Sequence, residues 1–299
     1  MIALEQRGRL TRKAALASVT CAIFLIALKS YAALQTGSVA MLGSLADSGL
    51  DLIASLVTLY GVHLAATPAD YDHRFGHGKA EAIAALFQVI LISISALAIG
   101  ERAIERLIVG AKTSNAEYGI GVSIVALAVT LLLLAYQRKV IRRTGSVAIG
   151  ADNVHYQSDL LLNGSVIAAL TLDQFARLTG ADAVFGIGIA LWLLWGAYRA
   201  SSQAVDQLMD REWPEERRQH FLRVASQHPQ LKGIHDLRTR TSGAHDFVQF
   251  HVWVSPDMTV SEAHRVMDEI EAKLEKEFPG VEVLIHPDPE GHVDPEITK

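Results

Sequence analysis

The chain has 299 residues, half of them hydrophobic, and a mean hydropathy of +0.24, which is high for a water-soluble domain and points to a membrane protein. A net charge of −5 and a pI near 6.2 leave no broad basic surface for nucleic acid. One cysteine, Cys21, excludes both a disulfide framework and a thiolate metal cluster within one chain, so any metal must be held by His, Asp, Glu or backbone.

Apolar residues dominate to about Tyr198; after Asp210 the sequence turns charged and is punctuated by Pro214, Pro229, Pro256, Pro279 and Pro287. That boundary predicts one domain over residues 1–209, a second over 210–290 and a loose end over 291–299. The basic N-terminus leads into an apolar run without a cleavage site, and the run reads as a retained helix. Six segments, near 12–34, 39–65, 80–108, 117–139, 146–172 and 180–201, have the length a helix needs to cross a bilayer. Arg7, Arg9, Arg12 and Lys13 precede the first, Arg74 and Lys79 lie in the second connection, and Arg138, Lys139, Arg142 and Arg143 crowd the fourth. The first connection, "QTGS", is uncharged and the fifth has only Arg177 as a base, whereas Arg102, Arg106 and Lys112 near the third weaken the contrast. Positive residues collect on the cytoplasmic side, which places both termini there.

The second and fifth helices are rich in Gly, Ser, Ala and Asp, which permits close packing and marks them as the working pair. Asp47 and Asp51 lie four residues apart, on one face of the second; His155 and Asp159 repeat that spacing in the fifth. Ionisable side chains inside a membrane are costly and by default functional. If the two helices face each other, three carboxylates and one imidazole converge. Such a set suits zinc in tetrahedral geometry and would accept iron, manganese, cobalt or cadmium. The plainer alternative is that Asp47 or Asp159 caps a helix end or faces an aqueous vestibule. His63 is read as a hydrogen-bonding residue inside the bundle.

In the loop "ATPADYDHRFGHGKAE", Asp70, Asp72, His73 and His77 offer four ligands within eight residues, with Gly76 and Gly78 to let the backbone wrap. Solvated loop side chains are the alternative there. Lys79 follows, and by itself reads as an interfacial, snorkelling lysine. The tail reads as α-β-β-α-β, a small open-faced sandwich of ferredoxin-like type. It holds eight of the twelve histidines. In "DFVQFHVWVS", Val248, Phe250, Val252 and Val254 share the face expected to bury, which leaves His251 on the other with Phe247 and Trp253. His235, His264, His286 and Asp288 are candidates to lie near it as a further metal site, against the alternative of scattered surface histidines.

Six helices, D-x-x-x-D in the second, H-x-x-x-D in the fifth, "HRFGHGKAE", "HDLRTRTSG" and "IHPDP" together resemble the cation diffusion facilitator family, closest to its bacterial zinc and iron efflux members. The resemblance implies a homodimer in the bacterial inner membrane that exchanges a metal ion for protons by alternating access. It implies a transport site of Asp47, Asp51, His155 and Asp159, a loop site of Asp70, His73 and His77, and a two-ion site of His235, His251, His264, His286 and Asp288. Asp72 has no counterpart in the pattern. Lys79 and Asp210 would pair in a charge cluster where subunits meet. Two other classes compete. A membrane metallohydrolase would need a base to activate water and has no H-E-x-x-H here; a metal-sensing receptor would use the tail without transporting. The chain is therefore expected not to be an enzyme.

Overall fold

The computed structural model describes residues 4–36, 39–109, 120–176, 181–230 and 233–291. The expected starts of the fourth and sixth helices at 117 and 180, the charges Lys112 and Arg177, and the tail from 292 lie outside the described residues. Six long helices come first: α1 (Leu4–Thr36), α2 (Val39–Ala65), α3 (Ala80–Val109), α4 (Ile120–Thr144), α5 (Val147–Ala176) and α6 (Ala181–Leu208). One compact unit comprises Arg7–Val205 and a second begins at Asp206.

The first unit turns large apolar side chains outward and buries polar ones among Ala, Ile and Leu. Phe24, Ile53, Ile90, Leu132, Leu191 and Trp195 are exposed, while Ser18, Ser55, Gln88, Gln137 and Asp152 are buried. That inversion is what lipid selects, since hydrocarbon solvates apolar side chains and forces polar groups to find partners within the protein. Among the described residues, α1, α2, α3, α4 and α6 are long and apolar enough to span a membrane. α5 carries Asp152, Asn153, His155, Gln157 and Asp159 along its N-terminal half. Its packing explains how it tolerates them: α2, α3 and α4 all lie against it.

Close packing between α2 and α3 depends on Gly61. A Cβ there would stand 2.4 Å from the Ala84 Cβ, so only glycine permits this approach. Two charge clusters sit differently from expectation. α1 begins at Leu4, so Arg7, Arg9, Arg12 and Lys13 ride its first turns; α4 runs to Thr144 and carries Arg138, Lys139, Arg142 and Arg143 in its last two. Arg, Lys, Leu and Ala are strong helix formers, and the helices simply continue past their apolar runs. Arg7 Nη2 donates to the Thr144 carbonyl at 2.5 Å, satisfying a C-terminal acceptor of α4.

The second unit continues as α7 (Glu215–Ala225), β1 (Gly233–Ser242), β2 (His245–Val254), α8 (Val260–Glu277) and β3 (Val281–Pro289). The sheet order is β1-β2-β3, with β1 antiparallel and β3 parallel to β2. The hairpin turns at Gly243, whose φ of 59° suits glycine. One sheet face is covered: Val248, Phe250, Val252 and Ile285 pack with Phe221 of α7 and with Val266, Ile270 and Leu274 of α8. Thr259 caps α8 through a box in which its side chain accepts from Glu262 N at 3.3 Å while its own N–H donates to Glu262 Oε2 at 2.9 Å. The helices occupy one face, and the other is left for polar side chains.

Candidate metal centres

α5 sets the first centre by placing His155 toward α2. His155 Nε2 lies 3.1 Å from Asp51 Oδ1, and both side chains are buried. With Asp159, one turn on, they form a group whose ligand atoms all lie within 4.8 Å of one another. The edge of a tetrahedron with metal–ligand bonds near 2.0 Å is about 3.3 Å, so the Asp51–His155 spacing matches a coordination edge. Asp47 does not join this group; it lies one turn away on α2 and is exposed. His63 is exposed in the last turn of α2, not inside the bundle as expected, because Val62 and Ala65 of that turn take the buried face.

Around α5 runs a network that sequence reasoning missed. Asp152, fully buried, accepts from Ser18 Oγ of α1 (2.6 Å), Gln88 Nε2 of α3 (3.1 Å) and Gln137 Nε2 of α4 (2.7 Å). Gln88 Nε2 also donates to Thr58 Oγ1 of α2 at 2.9 Å, and the Tyr156 hydroxyl donates to the Ser18 carbonyl at 3.0 Å. Five helices thus share one hydrogen-bonded knot one turn from His155. The signal was present in "ADNVHYQSD", where Asp152 stands one turn before His155, but no single-helix spacing reveals donors on three other helices.

In the loop between α2 and α3, Asp70 Oδ1 accepts from the backbone N–H groups of His73 (2.7 Å) and Asp72 (3.0 Å). This turn brings His73 Nδ1 to 3.4 Å from Asp70 Oδ1 and His77 Nε2 to 3.3 Å from Asp70 Oδ2. Gly76, with φ of 75°, reverses the chain between the two histidines. The backbone hydrogen bond from His73, ahead of the charges of His77 and His73, holds the exposed Asp70 below the usual carboxylate range. Asp72 gives only its backbone to the turn, and its side chain is outside the group.

The third centre is a row across the sheet. His235, His251 and His286 are register partners on β1, β2 and β3, on the face away from the helices. Asp288, buried, divides its oxygens among them: Oδ2 lies 2.8 Å from His251 Nδ1 and 3.2 Å from His235 Nε2, and Oδ1 lies 3.2 Å from His286 Nε2. Burial raises the Asp288 pKa, but the His251 hydrogen bond and the three histidine charges outweigh it and hold the carboxyl below its ordinary value. A carboxylate with imidazoles at each oxygen has the geometry to bridge two ions. A second residue missed in sequence is Asp236. A bulge between His235 and Arg238 puts it at φ 47°, and its Oδ2 lies 3.8 Å from His251 Nε2. The ligand atoms of His235, His251 and Asp288 lie within 4.8 Å of one another, a group that neither His286 nor His264 joins; His264 pairs with Asp268 at 3.1 Å on the exposed side of α8. Asp210, also at positive φ, lies 3.6 Å from Arg240.

The three centres share one feature. His77, His155 and His235 each turn Nε2 to a carboxylate, and in each the buried Nδ1 has no hydrogen-bond partner among the described residues.

A multi-pass helical unit with buried imidazole and carboxylate ligands, followed by a small α+β unit with a histidine row, defines a membrane protein that handles metal cations. The family model for the cation efflux transmembrane domain matches residues 15–209, and that for the cation efflux protein cytoplasmic domain matches residues 213–290. The cation-efflux pump FieF of Salmonella arizonae is 41% identical over 98% of this chain and 97% of that protein; FieF of Escherichia fergusonii is 43% identical over 95% of each. A solved CzrB chain in its zinc form is 36% identical, covers 28% of this chain and 98% of that one, and has a TM-score of 0.27. The chain belongs to the cation efflux, or cation diffusion facilitator, family.

Proposed function

We infer that the chain exports a divalent transition-metal ion, zinc before cadmium, iron, manganese or cobalt, in exchange for protons, working as a homodimer in a bacterial inner membrane with both termini in the cytoplasm. The observation that carries this reading is the pairing of Asp51 with His155 across two membrane helices, at a coordination-edge distance and with Asp159 in reach. Carboxylates in low dielectric need a counter-charge, and a dication or protons supply it on the same lone pairs. Metal and protons therefore compete, and a site that opens alternately to each side exchanges one for the other. In this mechanism Asp51, His155 and Asp159 hold the ion, and Asp47 joins them as the site changes its facing. Oxygen and nitrogen ligands without thiolate suit zinc and leave room for the neighbouring metals.

The loop centre of Asp70, His73 and His77 binds a second ion. The tail over residues 210–290 binds cytosolic metal through His235, His251, His286 and Asp288, with Asp236 in support. Filling it favours the transport-competent arrangement of the two subunits, which requires tighter binding to that arrangement than to the other. Proteoliposomes with an imposed pH gradient test the reading. Zinc or cadmium uptake should follow the gradient and disappear in Asp51→Ala and Asp159→Ala. Uptake that ignores the gradient removes the antiport, and uptake that survives both substitutions removes the site.

A further inference from the structure

Lys29 stands within α1, and its side chain is turned to α2: Nζ donates to Ser48 Oγ at 2.7 Å and to the Ser44 carbonyl at 3.2 Å. A lysine in a membrane helix ordinarily runs along the helix toward the interface. Here the ammonium is instead anchored on a neighbouring helix, at a fully buried serine that lies between Asp47 and Asp51 in the chain.

Charge counting gives this placement a consequence. Once Asp47 joins the site as the transport reading has it, Asp47, Asp51 and Asp159 carry three negative charges when ionised; a dication contributes two positive ones, and a metal-bound imidazole is neutral. One negative charge remains, in a medium where an uncompensated charge is expensive. The count covers the ion's ligands alone; Asp152 is outside that group and belongs to the network of Ser18, Gln88 and Gln137. We propose that Lys29 is the fixed fourth charge of the transport site: a tethered ammonium, held on Ser48, that makes the dication-loaded site neutral and keeps the ion from binding too tightly to leave. This rests on the transport-site reading above and adds a residue to it. Lys29 does not touch the ion; it is a positioning charge, selecting a divalent load by making that state the neutral one.

The sign of the effect separates this role from a packing role. Removing a positive charge near the site strengthens the attraction of the remaining carboxylates for the ion, so both the departure rate and the half-saturation concentration should fall. In proteoliposomes, Lys29→Gln should lower the KM for zinc by about tenfold and lower maximal flux by a similar factor. Lys29→Arg, which keeps the charge, should stay within about twofold of the parent in both. Ser48→Ala, which keeps the lysine but deletes its acceptor, should move both constants in the direction of Lys29→Gln by about threefold. A KM that is unchanged or raised in Lys29→Gln overturns the proposal, as does a Ser48→Ala variant that matches the parent. Asp51→Ala run beside them tells the two readings apart: full flux in that variant sinks the transport site itself, whereas a dead Asp51→Ala with an unmoved KM in Lys29→Gln sinks only the tethered charge.

Discussion

Asp51 and His155 are 104 residues apart in sequence and 3.1 Å apart in space. Each belongs to a pair at one-turn spacing, and that spacing made both pairs legible, since four residues place two side chains on one helix face. The spacing could not say which members meet. Side chains four apart start with Cβ atoms about 5–6 Å from each other, and closing to a coordination edge depends on rotamers and on the neighbouring helix. Asp51, His155 and Asp159 close; Asp47 stays exposed. This difference predicts a graded series. Asp51→Ala, His155→Ala and Asp159→Ala should each weaken zinc binding at the membrane site by about a hundredfold or more, whereas Asp47→Ala should cost about tenfold, measured by isothermal titration on protein whose loop and tail ligands have been replaced. In the loop, Asp70→Ala removes both the carboxylate ligand and the acceptor for His73 N and Asp72 N. It should abolish zinc binding there, while Asp72→Ala should leave it intact.

The helices were readable as elements because apolar length and periodicity are local properties. What joins them was not. Gly61 reads in sequence as one small residue among many, yet a methyl there would press on Ala84. Gly61→Ala should force α2 and α3 apart, cost about 1–3 kcal/mol and lower the thermal midpoint of the detergent-solubilised protein. Asp152 was hidden for the same reason: its three donors come from three helices, and α5 shows only the acceptor. In the tail, the alternation of Val248, Phe250, Val252 and Val254 gave the buried face of β2 directly, and all four are buried. The bulge that swings Asp236 toward His251 left no mark, because a register shift is a property of two strands. Thr259→Ala should loosen the first turn of α8 by about 1 kcal/mol, read as faster amide exchange. The Thr259 N–H bonds hold Glu262 below its ordinary value. A depressed carboxyl stabilises the fold above the unfolded glutamate pKa and loses that contribution as pH falls through the folded one, so the difference between Thr259→Ala and the parent should shrink below about pH 4.

At the scale of the whole chain, the boundary where apolar sequence gives way to charged sequence matches two different solvents. Lipid selects the outward Phe24, Ile90 and Trp195 of the helical unit; water selects the conventional apolar core of Phe221, Phe250 and Leu274 in the unit after Asp206. Function follows the same division. If the tail centre biases the dimer, His251→Ala with His286→Ala should shift the zinc concentration at which flux rises while leaving maximal flux within about twofold; an unchanged concentration dependence would leave the tail without that role. The transport mechanism stands on one ion shared by α2 and α5. X-ray absorption at the zinc edge tests it most directly, on protein in which Asp70, His77, His251 and Asp288 have been replaced by Ala so that only the membrane centre can load. The expected result is one bound zinc with a mixed oxygen and nitrogen shell near 2.0 Å, lost in Asp51→Ala and lost equally in His155→Ala. Zinc that remains with the same shell after either substitution would contradict it.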